Sequence, residues 1–191
     1  MIDMKNKEIV QFGKYYVDVE GKISAPITWL VLSKNKEEML LLSEQIIDYM
    51  CFSEDGNNDF KQSYIRKWLN EEFFDIAFSK EEKAQIAEID NDKVSLLSIK
   101  YYATKYFPNF KSLKAKYTDY AKSKTKNIYG QVTTYEYGFW WLKNANTEYS
   151  CTREPVDPHI YVFHICNTGK LNAFMLAKNK DGVRPLIKVK I

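Results

Sequence analysis

The sequence is short of the residues that build irregular or cross-linked scaffolds: its 191 residues include 7 glycines, 5 prolines and 3 cysteines. So little Gly and Pro excludes collagen-like and linker-rich organisation. Cys51, Cys151 and Cys166 are widely spaced and odd in number, so at most one disulfide forms and one thiol stays unpaired. No disulfide framework holds this chain, which suits a reducing compartment. Charge of one sign is also scarce. With 28 Lys+Arg against 25 Asp+Glu, the formal net charge is +3, and only local patches can attract nucleic acid or anionic membrane. No uncharged apolar run reaches the ~18 residues of a membrane span. Residues 1–8 lack the apolar core of a secretory signal, so the expected location is cytoplasmic. A secreted or surface location stays open if a leader has been removed.

What the chain does have is apolar and aromatic bulk. Its 45% hydrophobic content with 15% aromatics is enough to offset ordering entropy, which excludes a disordered or fibrous chain. A domain of about this size buries roughly 70% of its extended-chain surface. No internal repeat, low-complexity tract or linker divides residues 1–191, so the expectation is one α+β domain. Its sheet should be twisted and mainly antiparallel, with helices packed on it.

The patterns place the elements. Tyr15, Val17 and Val19 alternate with polar neighbours between Gly13 and Gly21, as a strand does. Ile27–Leu32 and Met39–Leu42 are buried-strand runs joined by a polar connection, a hairpin of uncertain register. Ser63 can cap a helix carrying Ile65, Trp68 and Leu69 on one face, with Asn70 as its stop. Ser79 and Glu82 fit a capping box for a helix over 80–87. Val94–Leu97 returns to strand, and a helix over 99–107 must end before Pro108. Ile160–Ile165 and Leu171–Leu176 flank the turn-rich Asn167-Thr168-Gly169-Lys170, and Asp181-Gly182 marks a further turn before a terminal strand. Trp29, Trp68 and at least one of Trp140 and Trp141 should dominate the core.

Several of these segments recur in one order: Ile27-x-Trp29-x-Val31-Leu32, Leu40-Leu41-Leu42-Ser43, Ser63-x-Ile65-Arg66-x-Trp68-Leu69-Asn70, Trp140-Trp141-Leu142-Lys143 and Gly182-Val183-Arg184-Pro185. That order resembles a bacterial domain of unknown function over about residues 9–189. In that family the tryptophan pair is usually followed by Leu-Arg-Ser and a Pro-Gly turn; here Leu142-Lys143-Asn144-Ala145 departs from it. The second half is distantly similar to the C-type-lectin-like fold of sulfatase-modifying-factor proteins, which closes with a hairpin, a polar loop and a Gly-x-Arg. The resemblance implies a scaffold that displays a variable polar surface, and no fixed chemistry.

Candidate sites follow from the residues. On a strand, Trp140 and Trp141 point to opposite faces, so one ring can be core while the other lies open. An open ring beside Lys143, Asn144, Asn146, Glu148, Tyr149 and Arg153 would form a stacking platform rimmed by polar groups. The bland reading buries both rings and leaves an ordinary loop. Lys111, Lys114, Lys116, Lys122, Lys124 and Lys126, interleaved with Tyr117, Tyr120 and Tyr129 and opposed only by Asp119, suggest single-stranded nucleic acid. Few arginines and no phosphate loop favour a solvated face instead. His164 and Cys166 share a strand face at i, i+2, which permits a thiol nucleophile, although a packed histidine and a buried thiol are the plainer reading. Glu154-Pro155-Val156 lacks the amide of a lectin calcium loop, and the His/Cys spacing misses a zinc site. No G-x-x-x-x-G-K, G-x-G-x-x-G or G-x-S-x-G occurs. The expected function is therefore a non-enzymatic recognition module, binding a glycan or a protein through loops of the second half, with no cofactor and no metal. Nucleic-acid binding through segment 111–126 is the alternative, and a thiol or redox enzyme on Cys166 and His164 is the third.

Overall fold

The computed structural model describes residues 8–101, 106–127, 129–145 and 159–191. In chain order its strands are β1 (Ile9–Tyr16), β2 (Ser24–Lys34), β3 (Glu38–Ser43), β4 (Asp48–Cys51), β5 (Ile86–Ala87) and β6 (Val94–Leu96), then β7 (Trp140–Ala145), β8 (Tyr161–Ile165), β9 (Leu171–Leu176), β10 (Lys180–Val183) and β11 (Pro185–Lys190). They form two mainly antiparallel sheets. The first has the order β1-β2-β3-β11-β5, with β6 also on β11; the second runs β4-β10-β7-β8-β9. Among the described strands, only the β10–β7 pairing is parallel. With short helices packed around these sheets, the arrangement is α+β. No helix among the described residues is long and apolar enough to cross a membrane.

The expected hairpins form. β2 and β3 pair with Trp29 opposite Ser43 and Val31 opposite Leu41, and a bulge shifts the register between Val31 and Ser33. β8 and β9 pair across the Asn167–Lys170 turn, where Gly169 takes a positive φ of 87° and its N–H donates to the Cys166 carbonyl. Two boundaries differ from expectation. Gly13 lies inside β1 at a bulge, because its N–H is drawn to Glu82 Oε1 (2.8 Å) and the Phe78 ring and Ala77 carbonyl leave no room for a Cβ. Asp181-Gly182 is strand, not turn: Asp181 pairs with Met50 and Gly182 with Tyr49. The backbone of Phe139 passes so close to Gly182 that a side chain there would collide.

The helices are short and well capped. Ser63 Oγ accepts from the Arg66 N–H at the start of α1 (Tyr64–Trp68). Asn70 does not stop this helix, which continues through a π-helical turn, Leu69–Phe73, into α2 (Phe74–Ala77). The Asn70 amide instead grips β6: Nδ2 donates to the Val94 carbonyl, and Oδ1 accepts from the Lys93 and Val94 N–H groups. Arg66 pairs with the buried Asp92 at 2.7 Å. The Arg66–Asn70 cluster is thus a structural clamp. The capping box at Ser79 and Glu82 opens α3 (Lys80–Gln85), which ends early because Ile86 joins the sheet. Of the expected 99–107 helix, Ile99–Tyr101 is a 3₁₀ turn, Phe107 is buried outside any helix, and 102–105 lie outside the described residues. Thr118 caps an additional helix, α4 (Asp119–Ser123).

Two apolar clusters fill the interior. Trp29, Trp68 and Trp141 sit in one with Tyr15, Phe73 and Phe78; Trp140 sits in the other with Leu42, Ile46, Phe107 and Leu186. Trp68 stacks on Phe73 at 5.4 Å and meets Tyr15 edge-on at 6.2 Å. A buried indole removes some 150–250 Å² from water and leaves a cavity when truncated. Trp68→Ala should therefore lower unfolding free energy by about 3–5 kcal/mol, read as a lower denaturant midpoint. An unchanged midpoint would remove Trp68 from the core.

Candidate functional site

The proposed tryptophan platform does not form. Trp140 and Trp141 are each 0% exposed, since β7 lies inside the second sheet with both faces covered. Their indole N–H groups donate to the Leu113 and Met50 carbonyls at 3.1 and 3.0 Å. The rings do point to opposite faces, but each face is core. Next along β7, Lys143 Nζ pairs with Asp90 (2.6 Å) and lies over the Phe60 ring. Asn144 Oδ1 accepts from Ser98 Oγ and from the Ile99 N–H (3.0 and 2.8 Å), which ties the strand to the turn beyond β6. Asn146, Glu148, Tyr149 and Arg153 lie outside the described residues, as do Cys151 and the 154–157 segment.

The lysine segment is not a free basic face. Lys116 pairs with Glu136 (3.0 Å) and Lys124 with the buried Asp48 (2.6 Å), so Asp119 is not the sole opposing acid. The Lys114 and Lys116 ammonium groups both lie against the Tyr137 ring, at 4.7 and 5.7 Å. These residues line an open groove of about 430 Å³ with Glu44 and Gln45, but its cations are already engaged. Lys111, Lys122 and Lys126 are spread over a 3₁₀ turn, α4 and the loop after it.

His164 and Cys166 are brought together, with a partner that sequence reading assigned to a turn. His164 is buried on β8, and its Nδ1 lies 2.6 Å from Oδ2 of the buried Asp181. Asp181 Oδ1 accepts from the Gly182 N–H at 2.8 Å. Burial pulls the His164 imidazole down, but hydrogen bonds to Asp181 and Cys166 and the charge of Asp181 outweigh it, pushing its pKa up to about 9. Burial also pushes the Asp181 carboxyl up, against the pull of His164 and the Gly182 N–H. Both shifts express one proton held between the two groups, which makes the pair electrically neutral at pH 7. Cys166 is half-buried and unpaired. Among the described residues, no group of three or more His, Cys, Asp or Glu could hold a metal ion.

On another side of Asp181 opens a cleft of about 230 Å³. Its walls are aromatic: Tyr49 from β4, Tyr117 before α4, and Tyr135 and Phe139 before β7, with Met175 from β9. Thr125, Thr133 and Lys180 complete it. Tyr49 and Tyr117 meet edge-on at 6.4 Å, as do Tyr135 and Phe139 at 5.7 Å, and Phe139 stacks on His164 at 5.9 Å. Tyr117 Oη accepts from the Phe139 N–H (3.2 Å), which fixes that ring. Burial first, and then the negative charge of Asp181, push the Tyr49 and Tyr117 phenols upward, so both stay protonated at neutral pH. Aromatic faces with a few polar groups in a concavity this size suit a small ring-shaped ligand. No motif in the sequence groups these residues. The alternation of Tyr135, Tyr137 and Phe139 was the available signal, whereas Tyr49 and Asp181 arrive from strands far away in sequence.

The proton on the His164–Asp181 pair links stability to pH. The folded pKa of His164, about 9, exceeds its ordinary 6.5, so the pair's contribution is fully present below pH 6.5 and lost as pH rises through about 9. Unfolding free energy should fall across that window in the wild type. In the double variant His164→Gln with Asp181→Asn, which keeps polar atoms but no titrating pair, the decline between pH 6.5 and 8 should disappear; at higher pH the buried Cys51 thiol and the Tyr49 and Tyr117 phenols, also raised on folding, add a decline of their own. Denaturant melts from pH 6 to 10 measure both.

No curated protein and no solved structure matches the chain. A family model described as Domain of unknown function (DUF6273) matches residues 36–191, so β1 and β2 precede the match. The matched stretch contains every wall of the cleft, and the chain belongs to this family.

Proposed function

We propose that the protein is a non-enzymatic recognition module that takes a sugar ring of a glycan in the aromatic cleft beside Asp181. The observation that carries this reading is the cleft itself. Four aromatic rings, Tyr49, Tyr117, Tyr135 and Phe139, surround about 230 Å³. Sugar C–H faces pack on aromatic rings while hydroxyls hydrogen-bond at the rim, and tyrosine offers both functions on one rigid side chain. The walls come from separate places in the chain, and the strands that carry Tyr49, Met175, Lys180 and Asp181 all belong to the second sheet, so the site is largely formed before ligand arrives. On this reading the second sheet is a C-type-lectin-like scaffold, supported by the β8–β9 hairpin and by Gly182-Val183-Arg184 leading into the last strand.

A second reading is favoured by one contact. His164 Nδ1 bonds Asp181, and the Cys166 thiol lies within electrostatic reach of the same imidazole, the order of orienting acid, base and nucleophile in a thiol enzyme. Alkylation of Cys166 separates the two: it ends a thiol activity and leaves glycan binding intact.

Tyr135 is the informative position, because it is 53% exposed and contributes little to the core. Tyr135→Ala should weaken glycan binding about tenfold, some 1.4 kcal/mol, with an unchanged melting temperature. Glycan-array screening followed by titration calorimetry tests this. Wild-type protein that binds no glycan, or a variant that binds as tightly as wild type, would reject the cleft as the site.

A further inference from the structure

The unpartnered polar groups of the cleft are two hydroxyls and one cation. Its carboxylate and threonine oxygens, and the Tyr117 oxygen, each accept a bond from within the fold. Asp181 receives His164 Nδ1 and the Gly182 N–H, and Tyr117 Oη receives the Phe139 N–H. Thr125 Oγ1 receives the Thr133 N–H and gives its proton to the Lys122 carbonyl, while Thr133 Oγ1 receives the Tyr135 N–H. Three groups are left over. Among the described residues, the Tyr49 and Tyr135 hydroxyls and the Lys180 ammonium group have no hydrogen-bond or ion-pair partner.

Charge points the same way. Asp181 faces the cleft but is matched by the proton it shares with His164. The other buried carboxylate of this region, Asp48, is held by Lys124 Nζ at 2.6 Å and by Tyr15 Oη at 2.9 Å. That leaves Lys180, exposed at the rim on β10, as the unmatched charge among the cleft residues. A cationic ring would meet an aromatic cage, but with the like charge of Lys180 at its mouth and no free carboxylate inside. A neutral ring would leave the ammonium unused. A carboxylate would accept from it in a charge-assisted bond, stronger than a neutral one.

We infer that the cleft selects a sugar ring bearing a carboxylate, a hexuronic acid residue, with its carboxylate on Lys180 and its ring against the tyrosines. This rests on the glycan reading above and adds the class of sugar.

The test compares methyl glucuronide with methyl glucoside, two rings that differ in the carboxylate, by NMR titration at low and at physiological salt. The acidic sugar should bind roughly fivefold more tightly at low salt, a surface ion pair's worth, and the preference should shrink as salt rises. Lys180→Met, which keeps the apolar stem, should bring the two affinities together, and Lys180→Arg should restore the preference for the acidic sugar. Equal affinities, or a preference that survives in Lys180→Met, would overturn the inference while leaving the glycan reading standing. Binding of neither sugar nor any longer uronate or neutral oligosaccharide would overturn both.

Discussion

One continuous segment, Lys180–Lys190, joins the two sheets, and the rest of the molecule is arranged around it. Its first part, β10, lies between β4 and β7; its second part, β11, is bonded to β3, β5 and β6. The chain crosses from one sheet to the other at Arg184, whose side chain is 1% exposed. A buried guanidinium is costly unless its donors are met. Here Nε donates to the Ser43 carbonyl at 2.7 Å, an N–H of the fork reaches the Leu113 carbonyl at 3.4 Å, and the Trp140 ring lies 4.9 Å away. Burial lowers its pKa to about 9, which still leaves it charged at neutral pH. The charge is held by carbonyls, so it locks the end of β3 and the 3₁₀ turn at Phe110–Leu113 to the crossover point.

The same segment places the candidate site. Asp181 can reach His164 because β10 and β8 flank β7 on opposite sides. The bond stretches across Phe139 and Trp141, whose rings lie beside the imidazole. Gly182 is required where β10 passes the Phe139 carbonyl and Ile46. Close approach of these backbones brings the residues just before β7 against Tyr49 and Tyr117. The cleft is thus a consequence of strand order. Its polar content was settled by the cost of burying charge: Asp48 and Asp181 each have cationic or proton-donating partners, and the donors facing solvent were left open.

Much of the polar inventory that drew attention in the sequence is spent on holding the fold. Arg66 and Asn70 clamp the helix to the Asp92–Val94 segment, Asn144 closes the turn after β6, and Lys143 reaches Asp90. Such residues look like a binding surface in one dimension because exposed and bonded polar groups have the same composition. Burial and partner distinguish them. Segment 111–126 shows this well: the acids that pair with Lys124 and Lys116, Asp48 and Glu136, come from outside the run.

Local pattern determined what local physics controls. Strand runs at 27–32, 39–42 and 94–97, the hairpin around Gly169, the Ser63 cap and the Ser79–Glu82 capping box were legible, because alternation, capping and turn chemistry act within a few residues. The inward rings Trp29 and Trp68 were legible from their apolar neighbours. Only tertiary structure decided the rest. Asn70 continues a helix instead of ending it because Val94 offers bonds that solvent would not hold in place. Asp181-Gly182 is strand instead of turn because β4 and β7 pair with it. Both members of the Trp140-Trp141 pair are buried because a strand inside a sheet has two covered faces, and neighbouring strands from distant sequence supply that cover. The cleft gathers Tyr49, Tyr117, Tyr135, Phe139 and Asp181 from separate elements, and no spacing rule links residues whose proximity depends on sheet order.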